Sequence, residues 1–107
     1  MNASRAYLLL AAAGLLLPWY FNLAYLGGGG SLAPGAFLAA VSANALTSAI
    51  TWDVYIAAAV ASVWMVRDAP RSGVRRPWLY VVLCFAVGLA FAYPLYLARR
   101  EAAGADR

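Results

Sequence analysis

The sequence predicts an all-α integral membrane protein, a bundle of three transmembrane helices with a short extra interfacial helix before the second span. Of its 107 residues, 65% are hydrophobic and 11% are charged, whereas a soluble domain is about half apolar and about a quarter charged. A chain this short leaves much of its surface exposed. The apolar residues form long runs with the charges at their ends. We therefore treat residues 1–107 as a single membrane domain whose outer surface faces lipid.

The first apolar run, residues 6–26, is long enough to cross a hydrocarbon core of about 30 Å. A secretory signal peptide is the alternative, because Arg5 precedes an apolar stretch. Against it, Pro18, Trp19 and Asn22 stand where the small residues of a cleavage site are expected. We predict a first transmembrane helix, followed by an uncharged, glycine-rich connector.

Residues 36–66 carry no break signal and would make one helix of about 46 Å, which exceeds the thickness of the core. We expect a short helix over about 36–44, lying at the interface or re-entering, and a second span over about 46–66. One long tilted helix is the alternative.

An arginine-rich stretch, "RDAPRSGVRRP" at residues 67–77, separates the second span from an expected third span at 78–97. Loops rich in arginine stay in the cytoplasm. The N-terminus, with Arg5, is then inside and the C-terminus outside, although Arg99 and Arg100 of the tail argue the other way. The expected location is the cell (inner) membrane, crossed several times.

The amino-acid composition excludes several classes of function. The chain contains no histidine, which excludes imidazole acid–base chemistry and most transition-metal sites, so no metal is expected. Its one cysteine, Cys84, excludes a disulfide framework and a cysteine-based metal site within one chain. The eight arginines flank apolar runs, a pattern typical of contact with lipid headgroups and not of nucleic-acid binding.

The second span has a polar stripe. At 100° per residue one face carries the polar residues Asn44, Thr47, Ser48, Thr51, Tyr55 and Ser62. Small and hydroxylated residues allow membrane helices to approach and hydrogen-bond each other. We interpret the stripe as helix packing, with a lined cavity as the alternative. Two further packing positions are expected in the third span, Gly88 and Pro94.

Asp53 points almost opposite to that stripe and is the main candidate for function. A carboxylate at the centre of a membrane helix costs about 2.5 to 3.5 kcal/mol and marks a functional site by default. Three antiparallel spans would bring polar and aromatic residues to its depth, and these are the expected ligand-binding residues: Asp53, Asn22, Trp52, Tyr93, Trp19 and Tyr96. Pro18 and Pro94 could kink their helices there and open a concavity. The alternative is an interfacial aromatic belt with Asp53 as a packing contact.

Three stretches together resemble a bacterial family of small three-helix membrane proteins known only as a domain of unknown function. They are "LLLPWYFNLAYL", "TSAITWDVYIAAAVASVWMVRDA" and "WLYVVLCFAVGLAFAYPLYLARRE". The most specific elements are the aspartate of the second span, here Asp53, and a Gly-x-x-x-Ala-x-Pro-Leu pattern, here Gly88, Ala92, Pro94 and Leu95. The resemblance implies three spans and no particular activity.

A more distant likeness is to three-helix membrane proteins of carotenoid metabolism, namely the small lycopene cyclase subunits and a plant protein needed for neoxanthin formation. This likeness rests on a similar chain length and on an aspartate within an apolar helix. The cyclases' Pro-x-Glu-Glu signature is missing, and Glu101 cannot replace it. The likeness implies an isoprenoid-type ligand.

We therefore expect an accessory or binding subunit that holds an apolar, lipid- or isoprenoid-like ligand near Asp53. The ligand would be a bound lipid, a quinone or a carotenoid, and the partners would be membrane lipids with a second copy or a larger membrane complex. The alternative is an enzyme of the cyclase or isomerase type acting on a polyene, with Asp53 as proton donor among aromatic walls. A proton channel is a third hypothesis, for which a second relay group is missing.

Overall fold

The computed structural model describes residues 2–105. They form five α-helices, α1 (Ala3–Gly27), α2 (Pro34–Val41), α3 (Ala45–Ser72), α4 (Pro77–Ala86) and α5 (Leu89–Ala105). The all-α prediction is confirmed. Two of the helices, α1 and α3, are long and apolar enough to cross a membrane. The count of three membrane-crossing helices is not confirmed.

Between residues 36 and 66 the chain forms two helices, and the single long helix does not occur. Pro34 starts α2 at a position where its missing N–H costs nothing. Asn44 then caps α3 through a capping box, in which its side chain accepts from the Thr47 amide and the Thr47 hydroxyl accepts from the Asn44 amide. The cap satisfies amides that the break between α2 and α3 would leave without partners.

Helix α3 continues six residues past the expected end of the second span. It runs through Pro70 to Ser72 and stops at Gly73, whose left-handed backbone (φ 81°) terminates the helix. The loop expected over 67–77 is therefore reduced to residues 73–76. The reason is tertiary, because the last turns of α3 are packed against α5 through the buried Met65 and Ala69.

The expected third span, 78–97, is two helices joined at Val87 and Gly88. Gly88 has φ 149°, a conformation that side-chain-bearing residues rarely adopt. The chain reverses there, so that Tyr80 near the start of α4 contacts Tyr96 on α5, with ring centroids 5.3 Å apart. The Trp19 indole N–H donates to the Val87 carbonyl at 2.9 Å, which satisfies an acceptor that the helix break exposes. Helices α4 and α5 thus form a hairpin.

The α4–α5 hairpin separates the two long helices. Helix α1 packs along α5, helix α3 packs on α4 and α5, and α1 and α3 do not pack directly on each other within residues 2–105. Gly14 makes the closest approach, because a Cβ added there would lie 1.9 Å from the Ala90 carbonyl oxygen. Pro94 has no N–H to donate to the Ala90 carbonyl, so this carbonyl lacks its usual hydrogen bond within α5. The α1 backbone packs against the carbonyl at Gly14.

The seven arginines within the described residues all lie at one end of the molecule, which we call the charged end. The Ser4 hydroxyl donates to the Ala98 carbonyl, and Arg100 pairs with Asp68, which brings the N-terminus, the end of α3 and the tail together. Arg107 lies outside the described residues. The opposite end, residues 28–44, has no charged residue. A continuous third span, as the sequence predicts, would put the tail at the end opposite to the N-terminus, whereas the hairpin puts both at the same end.

Candidate functional site

The best-connected polar group of the described chain is a four-residue cluster at the charged end, the Asp68 cluster (Asp68, Ser72, Tyr96, Arg100). The Asp68 side chain is only 10% exposed. Its Oδ2 atom accepts from the Ser72 hydroxyl at 2.9 Å, the Tyr96 hydroxyl at 2.8 Å and the Arg100 Nε at 2.8 Å. Its Oδ1 atom accepts from the Arg100 Nη2 at 3.3 Å.

Helical spacing explains why these four side chains meet. Asp68 and Ser72 are four residues apart on α3, and Tyr96 and Arg100 are four residues apart on α5, so each pair occupies one helix face. The hairpin turns α5 back alongside α3 and brings the two faces together. The cluster therefore joins two segments that the linear sequence separates by the whole of α4.

An aromatic wall covers the cluster on the side of the apolar residues. The Trp64 ring meets the rings of Tyr93 and Tyr96 edge-on, with centroids 5.9 and 5.8 Å apart. The Arg100 guanidinium lies 5.8 Å from the centre of the Trp64 ring, within cation–π range. These rings replace part of the water around the ion pair with aromatic carbon.

The electrostatics keep Asp68 ionised. Asp68 lies past the apolar part of α3, and burial of its carboxyl by itself raises the pKa. The hydrogen bonds from Arg100, Tyr96 and Ser72 and the charge of Arg100 outweigh burial, so the pKa falls below its usual 3.8. A carboxylate accepts about four hydrogen bonds, and this one has four. Three of these bonds end on Oδ2 and one on Oδ1, and together they make the carboxylate a contact that joins α3 to α5.

A second feature is a cavity of about 550 Å³, the upper cavity, which lies between α1 and α3 near the uncharged end. The tip of the α4–α5 hairpin forms one boundary and α2 another. Its walls are mainly apolar and aromatic. The lining includes Trp19, Asn22, Phe37, Val41, Thr51, Val54, Tyr55, Phe85 and Gly88. Asn22 contributes a side-chain amide, and Thr51 directs its hydroxyl to the carbonyls of Thr47 and Val41.

The structure divides the expected ligand-binding residues among three places. Trp19 and Asn22 line the upper cavity. Trp52 lines a smaller neighbouring cavity of about 370 Å³ between α2 and α3. Tyr93 and Tyr96 lie in the aromatic wall near the charged end, because α5 descends from the hairpin tip where a straight third span would have carried them upward.

Asp53 is apart from all three. It is exposed on the outward face of α3, lines neither the upper cavity nor its smaller neighbour, and has no hydrogen bond or ion pair to any residue between 2 and 105. The direction predicted for Asp53, away from the polar stripe, agrees with this position. The structure brings no other expected ligand-binding residue around it.

The residues expected in helix packing have varied surroundings. Four of them form hydrogen bonds with one another at the start of α3, namely Asn44, Thr47, Ser48 and Thr51. Tyr55 stacks on Phe85 of α4, with centroids 6.3 Å apart. Gly88 forms the hairpin turn, and Pro94 lies inside α5.

Sequence reasoning missed Asp68, Ser72 and Arg100 as a group. It placed Asp68 in a cytoplasmic loop and Arg100 in a tail on the other side of the membrane. The available signal was the paired spacing of four residues, Asp68 to Ser72 and Tyr96 to Arg100. That signal becomes decisive only when the reversal at Gly88 is known.

A family model described as "Protein of unknown function DUF2834" matches residues 6–102. The chain belongs to the DUF2834 family. The DUF2834 match includes both the Asp68 cluster and the upper cavity, and it confirms the resemblance to a family of unknown function. No curated protein and no solved structure matches the chain. Nothing in these comparisons supports the likeness to proteins of carotenoid metabolism.

Proposed function

We propose that this DUF2834 protein is a membrane-embedded binding subunit that holds an apolar, isoprenoid-type ligand in the upper cavity. The observation that carries the proposal is the cavity itself, about 550 Å³ of mainly apolar and aromatic lining between the two longest helices. Ligand sites are typically concavities of this size with few polar groups. Membrane residence is supported by the exposure of large apolar side chains on both long helices, including Leu16 (69%), Phe21 (66%) and Val60 (65%).

The chemistry of the lining favours a ligand with one polar head. Asn22 offers an amide that can donate to a carbonyl or accept from a hydroxyl. The aromatic rings of Trp19, Tyr55 and Phe85 suit a flat or unsaturated ligand. A quinone has both features, and a quinone is among the ligands that the sequence predicts.

In this proposal the chain crosses the membrane twice, with the α4–α5 hairpin entering and leaving on the charged side. Irregular backbone at membrane depth needs partners for its polar groups within the protein, and at the hairpin tip the Trp19 indole donates to the Val87 carbonyl. Both termini would lie in the cytoplasm. The gathering of the described arginines at one end supports this orientation, since arginine-rich segments stay inside.

The test is retention of a quinone by the detergent-solubilised protein. Decylubiquinone is added, and native mass spectrometry counts the molecules bound per chain. Val54→Trp should lower retention at least tenfold, because Val54 lines the cavity and the indole would occupy its space. Ile56→Trp is the matched control, since Ile56 is also exposed on α3 and lines neither the upper cavity nor its neighbour.

Two further variants separate the upper cavity from Asp53. Asn22→Leu removes the amide and should weaken quinone retention about fivefold, as expected for one hydrogen bond worth about 1 kcal/mol. Asp53→Asn should leave it unchanged, because Asp53 does not line the cavity. Equal retention by the wild type and Val54→Trp, or loss on Asp53→Asn, would contradict the proposal.

No observation favours the cyclase or isomerase alternative. Such chemistry needs an acid beside the substrate, and none of the described residues lining the upper cavity is acidic. For Asp53 this favours the alternative given by the sequence, a packing contact. An exposed carboxylate on an apolar helix face is costly in lipid, and a second copy or a partner protein would shield it.

A further inference from the structure

The upper cavity is bounded at the uncharged end by the segment that links α1 to α3. The connector (residues 28–33) and α2 extend from one long helix to the other, and the two long helices do not pack on each other within residues 2–105. Leu32 of the connector and Phe37 and Val41 of α2 line the cavity. This segment therefore covers a gap that the packing of the long helices leaves open.

Tyr25 holds the connector against the end of α1. Its hydroxyl donates to the Ser31 carbonyl at 2.8 Å and accepts from the Ser31 amide at 3.2 Å. The Gly30 amide donates to the Tyr25 carbonyl at 2.8 Å, and a Cβ added to Gly30 would lie 2.6 Å from carbons of the Tyr25 ring. Tyr25 also lines the upper cavity. One side chain therefore contacts both the cavity and the segment that covers it.

Helix α2 is held less firmly than the connector. Among the described helices it packs only on α3, and no side chain caps its start at Ala33. The hydrogen bond from the Thr51 hydroxyl to the Val41 carbonyl is 3.4 Å long, and the same hydroxyl donates at 2.7 Å to the Thr47 carbonyl. A hydroxyl bond is normally about 2.7 Å long, so the contact with Val41 is weak. Segments with few contacts are those that open locally at low cost.

We propose that residues 28–41 form a lid over the upper cavity, and that Tyr25 keeps this lid closed and thereby limits the exchange of the ligand with the bilayer. The inference rests on the proposed binding function. The lid has no charged residue, and its Leu32 and Leu38 side chains are each 65% exposed. Such a lid moves within lipid without placing a charge there. An isoprenoid-type ligand would then pass between the cavity and the bilayer without crossing water.

Amide hydrogen exchange of the ligand-free protein in detergent tests the lid itself. Tyr25→Phe keeps the ring and removes both hydrogen bonds of the hydroxyl. Amides of residues 31–41 should exchange at least fivefold faster, a change that corresponds to about 1 kcal/mol. Amides in the middle of α3 should be unaffected. Tyr20→Phe is the matched control, because Tyr20 is exposed on α1 and does not line the cavity.

The rate of quinone release tests the role of the lid in ligand exchange. Trp19 lines the cavity, so bound decylubiquinone should quench its fluorescence, and mixing with excess empty liposomes should restore the fluorescence as the quinone leaves. Tyr25→Phe and Gly30→Ala should each speed release at least fivefold. Gly35→Ala is the control for the second variant, since its Cβ meets nothing within 4 Å. Equilibrium retention should change less than twofold, because an open lid speeds entry as well as release.

The possible results separate the lid from the binding function. Unchanged amide exchange in Tyr25→Phe, or release of a retained quinone at the wild-type rate, would overturn the lid and leave the binding proposal intact. Equal acceleration by Tyr20→Phe or Gly35→Ala would also overturn the lid, because the effect would then be a general loosening of the fold. A wild type that retains no quinone would contradict the binding proposal and the role of the lid together, whatever the amide exchange.

Discussion

At the scale of single residues, two aspartates of α3 have opposite surroundings. Asp68 is partly buried and accepts four hydrogen bonds from three side chains. Asp53 is exposed and has no partner among the described residues. The same side chain on the same helix is therefore a structural contact in one place and an unpaired carboxylate in the other. Burial of a carboxylate is costly unless donors replace the lost water, and only Asp68 has such donors.

This contrast predicts the effect of removing each charge. Asp68→Asn should lower the free energy of unfolding by about 2 kcal/mol, because hydrogen bonds to charged groups are lost and Arg100 keeps no counter-ion. Asp53→Asn, the control on the same helix, should leave it unchanged within about 0.5 kcal/mol. Denaturant unfolding in detergent measures both values. Equal effects of the two substitutions would contradict the role assigned to Asp68.

The same pair of proteins gives a check by pH. The folded-state pKa of Asp68 lies below its usual 3.8, so its contribution to stability is complete above that value and is lost as pH falls further. The stability difference between wild type and Asp68→Asn should stay constant from pH 7 to about pH 5 and shrink below pH 4.

At the scale of helices, prolines and glycines decide which elements touch. Pro94 leaves the Ala90 carbonyl without its α5 donor, and Gly14 allows the α1 backbone to reach that carbonyl. Pro18 has the corresponding effect on the carbonyl of Gly14. The two helices therefore meet where each has an interrupted hydrogen-bond ladder. Gly88 completes the arrangement, since its backbone permits the turn that carries α5 back along α1.

Gly14→Ala should separate α1 from α5. The new Cβ would lie 1.9 Å from a backbone oxygen, which cannot rotate away as a side chain can. We expect a loss of about 3 kcal/mol of stability, at the upper end of the usual cost of overpacking. Gly27→Ala lies in the same helix with nothing within 4 Å of the added carbon, and it should be neutral or slightly stabilising. Thermal unfolding of the two variants in one detergent would test this, and a stable Gly14→Ala would refute the contact.

At the scale of the whole molecule, the hairpin determines the distribution of charge. Three straight spans would put the tail arginines opposite the loop arginines and divide the positive charge between two sides. The hairpin places all seven described arginines at one end and leaves residues 28–44 at the other end without charge. In the proposed two-span arrangement, this distribution favours the orientation with the charged end in the cytoplasm.

Cysteine labelling distinguishes two spans from three. In a Cys84→Ser background, Ser31→Cys reports on the uncharged connector and Gly104→Cys on the tail, both exposed. With a membrane-impermeant maleimide added outside spheroplasts, Ser31→Cys should react at once and Gly104→Cys only after permeabilisation. Immediate reaction of Gly104→Cys would restore the three-span arrangement, with the C-terminus outside.

The sequence predicts the residues of the upper cavity better than those near the charged end. Trp19 and Asn22 lie in a cavity wall because they are part of the long first helix, whose position follows from local pattern. The prediction that Tyr93 and Tyr96 share their depth failed, because it assumed a continuous helix through Gly88. Arg100 could not be assigned to Asp68 for the same reason, since a contact across a reversal depends on a single backbone conformation.

The amino-acid sequence is enough to predict the helical class, the positions of the two longest helices and, from the lack of histidine, the exclusion of imidazole chemistry. These properties follow from composition and short-range periodicity, which act within a few turns of helix. The hairpin, the Asp68 cluster and the upper cavity become visible only in the folded chain. Each of these depends on how one helix packs against another, and such long-range contacts are selected by the whole chain at once and not by any local stretch of it.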